Sequence, residues 1–393
     1  MHGDIAQGNG GITVISVSRK TVAWASAAVL AVGGGTAAIV LAAQGTGQPG
    51  RHPGSAAAHP AALPPLRVVS VSPAGGDRDV DGAGTVTVTY NQPLPASAPL
   101  PALSPAIAGT WQRSGDTAVF TPATGFPEHT RVTVTATVAV ATAAKDSRGT
   151  PVPGATFTTA RYSTLRLQEI LAQLGYLPLS WTPAVGAAVP TGDAAAQLAA
   201  AYAPPPGTFR WTPRGYPSSL YSFWSPGEAN TLDVGAVTGF EADHGLTPDG
   251  VASQAVWAAL LTAAAKDQVN THGYSYAIAS ESLPETLTIW HNGRKVFSSL
   301  ANTGISIRPT GLGTFPVYLK MPFQVMTGTN PDGSHYADPV YWVSYFEGGD
   351  AVHYFDRGSY GWPQSLGCVE LPYGAAKTAY PYLPYGTLVT VEG

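Results

Sequence analysis

Between Lys20 and Arg51 the chain carries no charged residue, and the middle of that interval reads TVAWASAAVLAVGGGTAAIVLAA (21–43). As a helix this segment is about 34 Å long, enough to cross a hydrocarbon core of about 30 Å. Arg19 and Lys20 stand directly before it, which keeps residues 1–20 as a cytoplasmic tail and sends the following chain outward. A cleavable signal peptide, with Val40 and Ala42 at its small-residue positions, is the rival reading. The run exceeds a usual signal core, so a retained single-pass membrane anchor is expected. Either way, everything beyond it is exported to the outer face of the membrane.

Export changes the meaning of the cysteine count. Exported proteins use cysteines in pairs, as disulfides, yet this chain has one, Cys368, in PQSLGCVELP (363–372). A lone thiol is either a small buried hydrophobe or a nucleophile with a histidine elsewhere in the sequence. The chain has nine histidines. His2, His52 and His59 fall in the tail or tether, and His129, His244 and His272 lie outside the core of the domain that holds Cys368. His291 sits at a hairpin turn and His335 in a polar loop. His353 ends the apolar run AVHYF, where a strand can aim its ring at a facing loop, and it is the expected partner. A net charge of −4 provides no basic footprint, so nucleic acid is not an expected partner. No phosphate loop and no metal-ligand spacing occurs, and no cofactor is expected.

Only 11% of residues are charged, against roughly 25% in ordinary soluble domains. With 45 Gly and 35 Pro, turns and short strands should outnumber long helices. Residues 44–65 are rich in Pro, Ala and Gly and read as an extended linker. Over 66–160, RVVSVSP, TVTVTY, TAVFTP and RVTVTATVAV alternate apolar and polar residues between turns, the pattern of a β-sandwich. The segment 161–270 turns helical. Leu167, Ile170, Leu171 and Leu174 mark one apolar helix face with Gly175 at its end, a second helix runs through Val237 and Phe240, and a third starts at Ser253. Residues 271–393 return to β: TLTIWHNGRKVFSSL is a hairpin around Asn292-Gly293, and further strands follow up to GTLVTVEG. The whole is a multidomain, mainly β protein.

Three resemblances attach to these segments. SP-x-GG, NQPL and the closing FTT in 66–160 resemble the bacterial immunoglobulin-like modules of envelope proteins. LQEILAQLGYL, then AV-x-x-F, HGL-x-PDGV and W-x-x-L, resembles the three-helix peptidoglycan-binding domain, interrupted by an insertion at roughly 180–229. Thr303-Gly304, PTG-x-x-TF (309–315), His353 and S-x-GCV (365–369) occur in the order of the L,D-transpeptidase catalytic domain of the YkuD type.

The last resemblance implies a cysteine acyltransferase. Cys368 attacks the carbonyl before the terminal D-residue of a peptidoglycan stem, His353 moves the proton, and an acceptor amine resolves the thioester. An imidazolium beside Cys368 would lower its pKa. Gly367 permits the turn, the amides of Gly367 and Cys368 face the oxyanion, and the Ser365 hydroxyl orients the loop. Tyr336 or Tyr341 could serve the oxyanion site or a lid, although packing is the expected role of both. The expected partners are peptidoglycan stem peptides and glycan, together with the membrane, and carbapenem sensitivity would follow from the same thiol. Three positions and one spacing depart from the family pattern. Leu366 replaces its histidine, Glu370 its Arg or Asn, and Tyr354 its Gly or Ser, and the gap from His353 to Ser365 is short. A cation replaced by Glu370 cannot serve the same substrate carboxylate. Hydrolysis of the thioester (an L,D-carboxypeptidase) and a non-catalytic wall-binding scaffold are the alternatives. NlpC/P60 hydrolases place Cys before His, and sortases need an arginine after the cysteine; neither order fits here.

Overall fold

The alternation in TVTVTY becomes a strand with Val86, Val88 and Tyr90 buried and the intervening threonines half-exposed, so one face is committed to a core. In the computed structural model, which describes residues 64–123, 125–138, 150–152, 155–192 and 194–393, this strand belongs to a four-stranded antiparallel sheet. Its order is Val68–Ser72, Val86–Tyr90, Thr117–Pro122 and Gly109–Ser114. A second sheet, built on Arg131–Val138, closes the sandwich, and Phe120, Val132, Val134 and Phe157 fill it. The apolar segment 21–43 lies outside the described residues. Among the described residues no helix is long and apolar enough to cross a membrane.

The helical segment holds more than its periodicity announces. Helices form at Thr164–Gln173, Thr231–Asp243 and Gln254–Ala265, as the apolar spacing predicts. Asn230 and Asp233 exchange hydrogen bonds in a capping box, and Ser253 caps the third helix through the Val256 amide. Gly175, at φ +79°, ends the first helix while Tyr176 N–H returns to the Leu171 carbonyl. The interrupting stretch is itself folded. It contributes the hairpin Leu179–Pro183/Gly207–Trp211 and the helices Ala194–Tyr202 and Ser218–Ser222. Leu179, Trp181, Ala201, Tyr216 and Leu220 from this stretch enter the same core as Ile170, Phe240 and Trp257. A free-standing three-helix domain is therefore not evident. The three helices alone would leave that core open.

Two sheets build the C-terminal domain. The first has the order Arg294–Leu300, Thr286–His291, Ser275–Ser280, Leu388–Glu392, Gly313–Pro316, with Ser275–Ser280 and Leu388–Glu392 parallel. The second runs Leu319–Thr329, His335–Glu347, Asp350–Tyr354, Val369–Leu371, the last pair parallel. The central strands of the first sheet are buried on both faces. Ala277, Ala279, Val389 and Val391 face the second sheet, whereas Tyr276 and Leu388 enter the core of the helical segment. Backbone contact tightens that junction. Gly235 and Gly239, one turn apart on Thr231–Asp243, lie against Tyr385 and Gly386, and a Cβ on Gly235 would come 2.7 Å from the Gly386 carbonyl oxygen.

Gly235→Val should therefore destabilise the helical segment and the C-terminal domain together. The expected cost is about 1–3 kcal/mol from overpacking, read as one shifted transition in denaturant unfolding. Two separate transitions, or no shift, would contradict the shared core.

Candidate active site

Alternation on the two parallel strands decides which side chains meet. Val352, Val369 and Leu371 point into the core between the sheets. The opposite face carries His353 and Glu370, which are register partners, and Cys368 precedes Glu370 on the same side. All three line a cleft of about 610 Å³ under the long hairpin Leu319–Thr329/His335–Glu347. Tyr336 and Asp338 reach the cleft from that hairpin. Tyr341 does not: it packs among Phe323, Tyr354 and Tyr373. His291 is bound to Ser275, and His335 to Thr329 at the hairpin end; neither lines the cleft.

His353 is 3% exposed. Its Nδ1 is 2.9 Å from the Tyr354 carbonyl, so this nitrogen carries the proton and Nε2 is left with a lone pair. Burial holds the imidazole below its usual pKa. The carbonyl bond and the charges of Glu370 and Asp338 oppose that shift, while Arg357 adds to it. The ring is neutral at pH 7.

Cys368 is half-buried against Val340, Val343, Tyr345 and Ala351. Its Sγ lies 3.8 Å from the Gly349 carbonyl. Burial pushes the thiol up to about 12; a hydrogen bond from the Ala351 amide works against this, and the charges of Asp350 and Glu370 add to it. The expectation of an imidazolium-depressed thiol is corrected here. No hydrogen bond joins His353 to Cys368 among the described residues, and the charges acting on the sulfur are anions.

The turn before Cys368 is tied down by the motif residues. Ser365 Oγ donates to the Cys368 carbonyl at 2.6 Å and accepts from the Gly367 amide at 3.1 Å. Ser365 thus holds the loop, and the Gly367 amide is engaged rather than turned toward an oxyanion. Gly367 has φ +121°, and a Cβ there would collide with the Asp350 carboxylate, so the position requires glycine. The Thr303 carbonyl accepts from the amides of Gln364 and Ser365, and the Ile305 amide donates to Ser365. Thr303 is fixed in turn by buried Glu285, and Gly304 by the Thr310 hydroxyl. The TG and PTG motifs are the frame of the cysteine loop.

Sequence reasoning missed two contributors. Asp350 accepts from the Gly311 amide and sits against Gly367. Arg357 forms a two-pronged ion pair with Glu370. Neither belongs to a motif, and only the folded loops bring them in. Among the described residues no group of three or more His, Cys, Asp or Glu is arranged to hold a metal ion.

The thiol should react slowly with iodoacetamide at pH 7 and accelerate with pH well past the usual cysteine value of about 8.5. Asp350→Asn should move this profile to lower pH, because removing an anion favours thiolate. A wild-type thiol that titrates below 8.5 would contradict the described environment.

Comparison with known families agrees with two of the modules. Residues 275–391 match the L,D-transpeptidase catalytic domain (YkuD), and residues 63–159 match the bacterial Ig-like domain. A comparison with curated proteins found no match. Among solved structures, an L,D-transpeptidase from Mycobacterium smegmatis is 16% identical, covering 84% of this chain and 100% of its own, with a TM-score of 0.28. L,D-transpeptidase 3 from Mycobacterium tuberculosis, in complex with a faropenem-derived adduct, is 15% identical over 83% of this chain and 98% of its own, also at 0.28. The catalytic domain of the E. faecium L,D-transpeptidase is 25% identical over 30% of this chain and 95% of its own, again at 0.28. The family models, rather than these low scores, carry the assignment: the chain bears a YkuD-type L,D-transpeptidase domain behind a bacterial Ig-like domain.

Proposed function

We propose that the chain is a cell-envelope cysteine L,D-transpeptidase that cross-links peptidoglycan. The observation that carries this reading is the pairing of Cys368 with a buried, neutral His353 in one cleft of the family-matched domain. Cys368, His353, Ser365 and Gly367 are the proposed catalytic set.

The resting pair is uncharged, so proton transfer accompanies attack. As Sγ bonds to the carbonyl carbon before the terminal D-residue, the thiol proton passes to His353 Nε2. The bond from Nδ1 to the Tyr354 carbonyl fixes the tautomer that makes this possible. The oxyanion falls to the Cys368 amide, since Ser365 occupies that of Gly367. Collapse breaks the C–N bond, the imidazolium protonates the leaving amine, and D-alanine departs from a thioester. An acceptor amine then attacks the thioester and gives its proton to His353; collapse breaks the C–S bond, and the imidazolium returns the proton to Sγ. A catalytic hydrogen bond absent from the resting site forms when substrate closes the cleft.

The segment 161–270 is proposed to bind the wall, and 21–43 to hold the protein in the membrane. Support for wall binding is the order of the sequence motifs. Leu167, Gln168, Ile170, Phe240 and Trp257 of those motifs are themselves buried, so they build the core and do not present the ligand surface. One observation favours the non-catalytic scaffold: the anions beside the thiol.

The test is incubation of the protein with a tetrapeptide-stem muropeptide and an amine acceptor, read by mass spectrometry. Cross-linked product with loss of D-alanine is expected, abolished by Cys368→Ala, and reduced on the order of a hundredfold or more by His353→Ala. Tripeptide alone would identify the carboxypeptidase, and unchanged donor the scaffold.

A further inference from the structure

Arg357 lies on the loop between Asp350–Tyr354 and Val369–Leu371 and is fastened three ways. Its Nε donates to Glu370 Oε2 at 2.8 Å, and its Nη2 to Glu370 Oε1 at 2.7 Å and to the Gln364 carbonyl at 3.1 Å. The guanidinium also rests 4.6 Å from the Phe355 ring centre, and Phe355 meets the His353 ring edge-on. Glu370 is only 5% exposed, whereas Arg357 is 28% exposed and faces the cleft. Gln364 and Glu370 stand on either side of Cys368 in the chain. One planar side chain therefore spans the base of the nucleophile turn, in the fork geometry that suits a carboxylate.

We propose that Arg357 is a positioning residue of this cleft, fastening both shoulders of the Cys368 turn and cancelling the Glu370 charge beside His353. Its catalytic meaning rests on the transpeptidase reading, but its geometry does not. It also accounts for Glu370 at a place where the family resemblance leads one to expect Arg or Asn: the cation is supplied from position 357, with Glu370 as its counter-ion.

The consequence is electrostatic. Facing His353 are Glu370 from the neighbouring strand, Asp338 from the long hairpin and Arg357 from the loop. Facing Cys368 are Asp350 and Glu370, with the phenols of Tyr336 and Tyr345 near it, and Arg308 lines the same cleft and acts on Tyr336. Arg357 is the one cation in the first set and the counter-ion of Glu370 in the second. Without it, anions alone face the imidazole, and the uncancelled Glu370 charge also faces the thiol. Both groups then hold their protons to higher pH.

The experiment compares the full chain with Arg357→Gln, Glu370→Gln and the double variant Arg357→Gln/Glu370→Gln. The His353 ring is titrated by NMR, its signal assigned by loss in His353→Ala, and Cys368 alkylation by iodoacetamide is followed against pH. In Arg357→Gln both midpoints should rise by about half a unit or more, which slows alkylation roughly threefold at a fixed pH below the midpoint. The double variant should return both toward wild type, because charge balance is restored although the bridge is gone. Hydrogen exchange at the Gly367 and Cys368 amides should stay faster than wild type in both. Unmoved midpoints in Arg357→Gln, or a double variant that stays with the single one, would overturn the proposal. Should Arg357→Gln not fold, Glu370→Gln decides: both midpoints must fall, and unmoved midpoints overturn it. Neither readout needs turnover, so a wild-type protein that forms no cross-links would sink the transpeptidase reading while leaving this result standing.

Discussion

Everything in the C-terminal half depends on the parallel pair Ser275–Ser280 and Leu388–Glu392 being buried on both faces. One face needs the helical segment, the other needs the second sheet, and neither layer can be removed without exposing apolar surface worth roughly 25 cal/mol per Å². The helical segment is thus a structural layer of the enzyme domain, whatever it binds outside. Tyr276 shows the coupling at one residue: its ring enters the helical core and its hydroxyl bonds Thr390 at 2.7 Å and Ser219 at 3.1 Å. The rigid contact of Gly235 with Gly386 completes the junction.

The same burial fixes the chemistry on the far side of the second sheet. Val352, Val369 and Leu371 have to face inward, so His353 and Glu370 face the cleft, and the period of two leaves no other choice. That face carries the carboxylates of Asp338, Asp350 and Glu370. Burial and the nearby anions raise the pKa of the half-buried thiol, and burial lowers that of the imidazole. The charges around the pair do not favour a standing thiolate–imidazolium pair.

Much of this was legible in the chain. Local periodicity and caps marked the sandwich strands, the three principal helices and the Asn292-Gly293 hairpin, because each depends on residues within one turn or one strand. The lone Cys368, its flanking Gly367 and the strand-borne His353 were likewise readable, since a nucleophile's requirements are stated by residue type and spacing. The insertion at 180–229 was not readable as structure, because its two short helices and its hairpin are stabilised by a core assembled from distant segments. The long flap Leu319–Thr329/His335–Glu347 also escaped. A bulge near Trp342, at φ +60°, breaks its alternation, so Val343 to Phe346 are buried in succession.

By itself, then, the sequence pointed to the Ig-like and L,D-transpeptidase-type modules and to Cys368, His353 and the frame motifs as candidates, through short-range patterns that one strand or turn can enforce. Only the tertiary structure brought together the anions around the pair, the engagement of the Gly367 amide and the Arg357 partner of Glu370. Read in the chain, Glu370 is a lost cation; in the fold it is one half of an ion pair with Arg357, thirteen residues away. Charge and pKa are sums over neighbours in space, and neighbours in space are what a linear pattern does not contain.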